Sequence, residues 1–291
     1  MKLNRLLPTG TAVLLAMLLP VAAFAQFALQ PDLNPIQDPG LQRDLNRIVD
    51  ANGWGAMVDN NRLAVALAVL DDQGGYRLAM LNGHLMLYAA SLPKLAVLFA
   101  AMVAAQEGDL QIDEALEQDL NKMIRVSCNA CATRVMGRVG RDKLLQILQR
   151  PEYAFYDENH YGGLWVGKDY GPSRAHQREP IRGLSHAATV FQVARLYYRL
   201  AMGTLLDPEH TLMMRDILSR PGINHKFVKG LQGLDVTILR KSGSWKNFHA
   251  DSALVESDAG NYILVGLEEN PDGEQQLQAL ARAVHQLVVG L

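Results

Sequence analysis

Ser91-Leu92-Pro93-Lys94 sets a hydroxyl and an amine three residues apart, one turn along the same face if the segment is helical. A serine hydroxyl is a poor nucleophile until a base takes its proton, and a lysine is a base only when neutral, a state that burial or nearby positive charge favours. The helix expected over Leu92–Glu107 would begin at Ser91, with Pro93 tolerated because first-turn N–H groups have no partner inside a helix. The hydroxyl would then sit at the positive end of the helix dipole, where a developing oxyanion is favoured. Two further segments present polar groups in similar settings. Ser127-Cys128-Asn129 stands at a loop-to-helix junction, and Lys241-Ser242-Gly243 ends an apolar strand. An isolated S-x-x-K reads more readily as a solvated helix start; the three together, in this order, are far more specific.

Hydropathy periodicity supplies the elements that must hold these groups. Leu41, Leu45, Ile48 and Val49 follow helical spacing after a loose entry segment, 27–40. Arg62–Leu70 reads as a strand, Asp71 to Gly75 as a hairpin turn, and Tyr76–Leu81 as the returning strand. Between about 91 and 232 the three-to-four-residue apolar period recurs in Leu92–Glu107, Asp113–Ile124, Ala130–Val139, Arg141–Leu148, His186–Met202 and Pro208–Leu218. Strands return at Val236–Leu239, His249–Glu256 and Tyr262–Leu267, and Glu274–Val289 closes the chain as an amphipathic helix. The expected fold is α+β: an antiparallel sheet of about five strands flanked by terminal helices, packed beside an all-helical lobe. The sheet needs both ends of the chain, so the α/β lobe (about 40–90 and 233–291) and the helical lobe (about 91–232) form a single domain, 26–291.

Composition narrows the classes. The 291 residues are 49% hydrophobic and 20% charged, too apolar for a disordered chain. A formal net charge of −2 gives no general attraction to nucleic acid. Lys2 and Arg5, the apolar run Ala12–Ala25 broken by Pro20, and Ala23-Phe24-Ala25 form a secretory signal peptide cut after Ala25, too short to span a membrane. No cysteine follows the cut, so no lipid anchor is expected. The mature chain, with 26 basic against 30 acidic residues, would be a periplasmic monomer without a membrane anchor. Two cysteines cannot build a disulfide framework.

The ordered motifs S-x-x-K, S-x-N and K-S-G, with the matching order of elements over nearly the whole mature chain, resemble the serine β-lactamase and penicillin-binding-protein superfamily, and class A β-lactamases most closely. The resemblance implies that Ser91 is acylated and that Lys94 accepts its proton, directly or within a network. Ser127 would protonate the leaving nitrogen, and Asn129 would bind the substrate's amide side chain. Lys241 would hold Ser127 and the substrate carboxylate in a positive field, Ser242 would donate to that carboxylate, and Gly243 would let the strand lie close to the ligand. The backbone N–H groups of Ser91 and Ser244 would form the oxyanion hole. The implied substrate is a β-lactam; the alternatives are a D-alanyl-D-alanine peptidase or transpeptidase acting on cell-wall peptide, and a penicillin-acylated sensor that does not turn over. A glutaminase of the same fold is disfavoured by the signal peptide.

Three departures bear on that reading. The family's E-x-x-L-N loop, which positions the water that frees the acyl-enzyme, has no counterpart in Pro151–Arg182; Glu158 and Asp169 are the placeable carboxylates, and Glu158 is taken as the deacylating base. The link from Ser91 to Ser127 is short, which implies a more open cleft. Cys128 stands where the S-D-N aspartate would be, removing a hydrogen-bonding partner. Cys128 and Cys131, a C-x-x-C at a helix start, are expected as small buried thiols, with a disulfide as the other reading. The eight histidines show no H-E-x-x-H or similar grouping, so neither metal nor other cofactor is expected. His186 and His225 are expected as caps or packed polar groups, and Trp165 and Tyr170 as packing for a glycine-rich loop.

Overall fold

The computed structural model describes residues 31–290; the signal segment expected at 1–25 lies outside the described residues. In chain order the elements are α1 (Pro39–Ala51), α2 (Gly55–Asp59), β1 (Leu63–Leu70), β2 (Tyr76–Leu81), β3 (Leu87–Tyr88), α3 (Lys94–Gln106), α4 (Glu114–Arg125), α5 (Asn129–Val139), α6 (Arg141–Gln149), β4 (Tyr156–Asp157), β5 (Gly162–Gly163), β6 (Trp165–Val166), β7 (His186–Ala188), α7 (Val190–Ala201), α8 (Pro208–Leu218), α9 (Lys226–Gly230), β8 (Thr237–Trp245), β9 (Phe248–Glu256), β10 (Asn261–Glu269) and α10 (Gly273–Val289). A single 3-10 turn, Glu158–His160, follows β4. Helix starts follow side-chain chemistry: Asp38, Asp113, Thr189 and Asp207 accept a first-turn N–H of α1, α4, α7 and α8.

The main sheet runs β2-β1-β10-β9-β8, antiparallel throughout, so the N-terminal hairpin pairs with the last strand of the chain. Alternation along β1 decides what covers each face. Leu63, Val65 and Leu67 join Leu41 and Leu45 of α1 and Leu277, Leu280 and Val284 of α10. Ala64, Ala66 and Ala68 point the other way, into the core shared with α3 and α7; their short side chains let those helices approach closely. Every residue of α3 from Lys94 to Ala104 is buried, and an apolar surface all round marks a helix that crosses a core.

The five-stranded sheet, the terminal helices and the neighbouring helical lobe agree with expectation. The lobe also carries a two-stranded sheet, β4-β5, and a three-stranded one, β3-β7-β6, whose two- and three-residue strands are too short to carry a period. One of them corrects a helix boundary: His186–Ala188 is strand, and the helix begins only after Thr189 caps it. Another correction concerns Ser91. Helix α3 starts at Lys94 with Pro93 as its N-cap, so Ser91 lies in the preceding turn, where its carbonyl accepts the Lys94 N–H at 3.2 Å.

Strand β8, the edge of the main sheet, is pressed onto that turn. A Cβ at Gly243 would collide with the Ala89 carbonyl and come within 2.7 Å of Ser91 N and 2.8 Å of Leu92 N, so glycine alone permits this approach. Behind β8 sits a fully buried ion pair. Arg240 Nε and Nη2 donate to the two Asp251 oxygens at 2.7 and 2.8 Å, and Asp251 also accepts the Phe227 and Ser252 N–H groups at 3.0 Å each. Removing one partner strands a buried charge, at a cost of about 3–5 kcal/mol. Asp251→Asn is therefore expected to lower the thermal midpoint by on the order of 10 °C, read by circular dichroism; a fall of less than about 2 °C would mean the pair does not hold β8 in place.

Candidate active site

Five polar side chains from three separate segments converge beside that turn. Lys94 Nζ lies 3.1 Å from Ser91 Oγ, 2.6 Å from the Ser127 carbonyl oxygen, 2.6 Å from Asn129 Oδ1 and 3.3 Å from Ser127 Oγ. Lys241 Nζ donates to Ser127 Oγ at 3.0 Å and to its neighbour's carbonyl, Ser242 O, at 2.6 Å. Ser91, Lys94, Ser127, Asn129 and Lys241, expected together from sequence, are thus one hydrogen-bonded cluster. Both lysines are buried.

Burial determines their charge. Desolvation brings Lys94 down to about 7, and desolvation, then the positive charges of Lys94 and Arg240, hold Lys241 well below the ordinary lysine range. The partners of Lys94 explain how it can act on a proton. Its neutral amine keeps two N–H bonds, which the Ser127 carbonyl and Asn129 Oδ1 accept, and its lone pair is then left for the Ser91 hydroxyl. The ring of Tyr170 covers the same nitrogen from another side, with its centroid 4.5 Å from Nζ.

Ser127 and Asn129 owe their position to a turn that sequence reading misjudged. Cys128 and Cys131, expected as thiols, are joined in a disulfide. The start of α5 brings their Cα atoms to 5.3 Å, inside bridging range; proximity, not burial, decides the pair. Cys128 Sγ also accepts the Cys131 N–H at 3.1 Å, so this residue caps α5 and the partner thought lost is replaced. Ser127 itself holds φ at 58° without being glycine, and the bridge beside it closes the turn in which that conformation is fixed.

The cluster opens into a cavity of about 790 Å³. Ser91, Asn129 and Ser244 line it, with an aromatic wall that includes Tyr88, Tyr170 and Phe248. Tyr170, expected as loop packing in preference to lining the cleft, faces the cavity; Trp165 is packed as expected, its indole N–H donating to Gln177 O at 2.9 Å. No aspartate or glutamate is among the described residues lining the cavity. Glu158 is exposed on its 3-10 turn and is not brought to the cluster, so the expected base is set aside on geometry. Asp169 is engaged by Arg141 through two bonds of 2.7 Å. The sequence reading overlooked Glu179, a buried acid whose oxygens accept the N–H groups of Ile181, Arg182 and Leu184 at 2.8, 2.6 and 3.2 Å. Its lone pairs are spent on the loop backbone and on the Tyr156 hydroxyl, which donates at 3.3 Å; the signal available was an acid opening the turn Glu179-Pro180.

The K-S-G strand differs in one respect. Ser242 is buried, and its hydroxyl meets His225 Nε2 at 3.2 Å. A third buried lysine, Lys226, bonds the Gly243 carbonyl, and its ammonium reaches Ser244 Oγ at 2.8 Å. No motif could have revealed it, because it reaches the site by folding rather than by spacing. Among the described residues no group of three or more His, Cys, Asp or Glu could hold a metal ion, and no helix is long and apolar enough to cross a membrane.

Residues 115–289 match the model of the beta-lactamase enzyme family. Among solved structures, PBP-A is similar over 89% of this chain and 100% of its own, with TM-score 0.66 and 20% identity. A variant of PBP-A solved as an acyl-enzyme with penicillin G is similar at TM-score 0.66 and 21% identity, with the same coverage. A beta-lactamase from Sphaerobacter thermophilus covers 86% of this chain and 98% of its own, at TM-score 0.64 and 17% identity. At such identities the likeness establishes the fold. No curated protein matches.

If the neutral Lys94 amine takes the Ser91 proton, acylation rises with pH. The amine is neutral above its pKa, so the rate is expected to climb about tenfold per unit below pH ~7 and to level off above it. Stopped-flow acylation of Ser91 across pH 5–9 reads the profile; a flat profile through 7 removes Lys94 as the base.

Proposed function

The chain belongs to the beta-lactamase enzyme family, and from that membership we propose that it is a serine hydrolase that opens β-lactam rings through an ester on Ser91. The observation that carries this reading is the unbroken run of hydrogen bonds from Ser91 Oγ through Lys94 and Ser127 to Lys241. Ser91 Oγ attacks the lactam carbonyl carbon while its proton passes to the Lys94 lone pair. The carbonyl oxygen, now negative, is received by the N–H groups of Ser91 and Ser244, on the turn and the edge strand that Gly243 lets meet. The lactam C–N bond then breaks, and the nitrogen takes the Ser127 hydroxyl proton, which Lys94 restores. Asn129 holds the acyl side chain with its amide, and the cationic surroundings of Lys241 receive the substrate carboxylate. Water then cleaves the ester.

Export supports the same reading. Residues 1–25 are a signal peptide by pattern, and a disulfide persists in oxidising compartments such as the periplasm. A second reading, a D-alanyl-D-alanine peptidase or an acylated sensor, is favoured by one observation: no acid lines the cavity among the described residues. Slow release of the ester would follow from it.

A chromogenic cephalosporin distinguishes these when ring opening and intact protein mass are followed together. The expected outcome is a mass increase on Ser91, followed by turnover, both abolished in Ser91→Ala. A permanent adduct together with cleavage of a D-Ala-D-Ala peptide would establish the peptidase. With neither adduct nor ring opening, the assignment fails.

A further inference from the structure

The reading above leaves the water that cleaves the ester without a base, and an unassigned pair of side chains lines the same cavity as Ser91. Strands β3 and β7 are antiparallel, with Tyr88 opposite Ala187, and the Ala89 N–H donates to the His186 carbonyl at 3.0 Å. Ser185 and His186 both line the same cavity as Ser91. Ser185 Oγ lies 3.2 Å from His186 Nδ1, and His186 Nε2 lies 3.0 Å from the Lys168 carbonyl oxygen.

These two contacts fix the proton. A carbonyl oxygen only accepts, so Nε2 must carry the hydrogen, and in a neutral imidazole Nδ1 is then a lone pair. Ser185 must therefore donate its hydroxyl hydrogen to Nδ1, which leaves its oxygen lone pairs for a molecule in the cavity. Burial brings the imidazole down to about 4 and keeps it uncharged; the hydrogen bond to the Lys168 carbonyl works against this, and the nearby positive charges of Lys168 and Lys94 reinforce it. Two aromatic rings pack against the imidazole, Tyr170 at 4.4 Å and Tyr88, edge-on, at 6.3 Å between centroids.

We propose that Ser185 and His186 form a proton relay that activates the water which hydrolyses the Ser91 ester. The inference rests on the acyl-enzyme reading and adds its second half. The water oxygen bonds to the ester carbonyl carbon as one of its protons passes to Ser185 Oγ, and the Ser185 proton passes to His186 Nδ1. The tetrahedral intermediate then breaks its bond to Ser91 Oγ, and the imidazolium returns the proton through the same hydroxyl to that oxygen. Water and ester become acid and free serine, with no other reactant. Ser185 is the group that touches the water; His186 acts through it.

The test separates the two halves of the reaction on the full-length mature protein, with penicillin G as the probe and intact mass as the readout. Ser185→Ala and His186→Gln (the latter keeping a donor for the Lys168 carbonyl but no Nδ1) are expected to lengthen the adduct lifetime by about 100-fold or more, within the usual range for general-base catalysis. Formation of the adduct should slow far less. Ser185→Thr, which restores the hydroxyl, should recover most of the release rate. A merely structural role would slow both steps together and would not be rescued, and that result overturns the proposal. Unchanged adduct lifetimes in both variants also overturn it, leaving water activation to Lys94. An adduct in the unaltered protein that never decays removes the relay but keeps Ser91 as nucleophile, whereas no adduct at all removes both.

Discussion

Two ammonium groups buried within hydrogen-bond reach of one serine are the constraint around which this molecule is organised. Lys94 and Lys241 both reach Ser127 Oγ, and like charges so close in a medium of low polarity cannot both be held at full charge without cost. The fold meets this by making at least one amine easy to deprotonate, the condition that acyl transfer by serine requires. Every neighbouring feature serves to hold the pair: the buried helix α3, the disulfide-closed turn of Ser127, and the edge strand β8 seated on the Ser91 turn by a glycine. The ion pair of Arg240 with Asp251 braces that strand from behind, where an unpaired cation would otherwise add to the repulsion.

The sequence made the frame legible because long elements carry their period with them. Strand β1 and helices α4, α8 and α10 appear close to where apolar spacing puts them, and the S-x-x-K, S-x-N and K-S-G segments converge as their order implied. What escaped was either too short to have a period or assembled from distant parts. The strands of the helical lobe have two or three residues each. Lys226 and the Ser185–His186 pair belong to no spacing rule, since their partners come from other segments. The cysteines were misjudged for a different reason: burial was weighed where a single helical turn had already brought the sulfurs together. Sequence offers Glu158 as the acid of this loop, but the loop's one buried acid is Glu179, consumed in holding its own backbone and the Tyr156 hydroxyl.

Charge in the cleft is local and opposite in sign to that of the whole chain. The net charge is −2, yet Lys94, Lys226, Arg240 and Lys241 gather behind the Ser91 turn, with Asp251 the acid that directly pairs there. An anionic ligand entering the cavity would meet a field that the exterior does not advertise, and its carboxylate would in turn favour the protonated form of the lysines. Binding of such a ligand and the protonation state of the two lysines would therefore be linked in both directions.

The sheet order β2-β1-β10-β9-β8 also sets a timetable. The central pairing joins the first strand of the domain to the last, and Ser127 must wait for Lys241, 114 residues later, before its hydroxyl is held. During synthesis the helical lobe can collapse early, but the partner strands do not exist until almost the whole chain has emerged. Such distant pairings slow folding and leave unpaired strand edges exposed in the interim. A nascent or truncated chain thus carries Ser91, Lys94 and Ser127 without Lys241, and the cluster is completed only as the final hairpin zips onto the first.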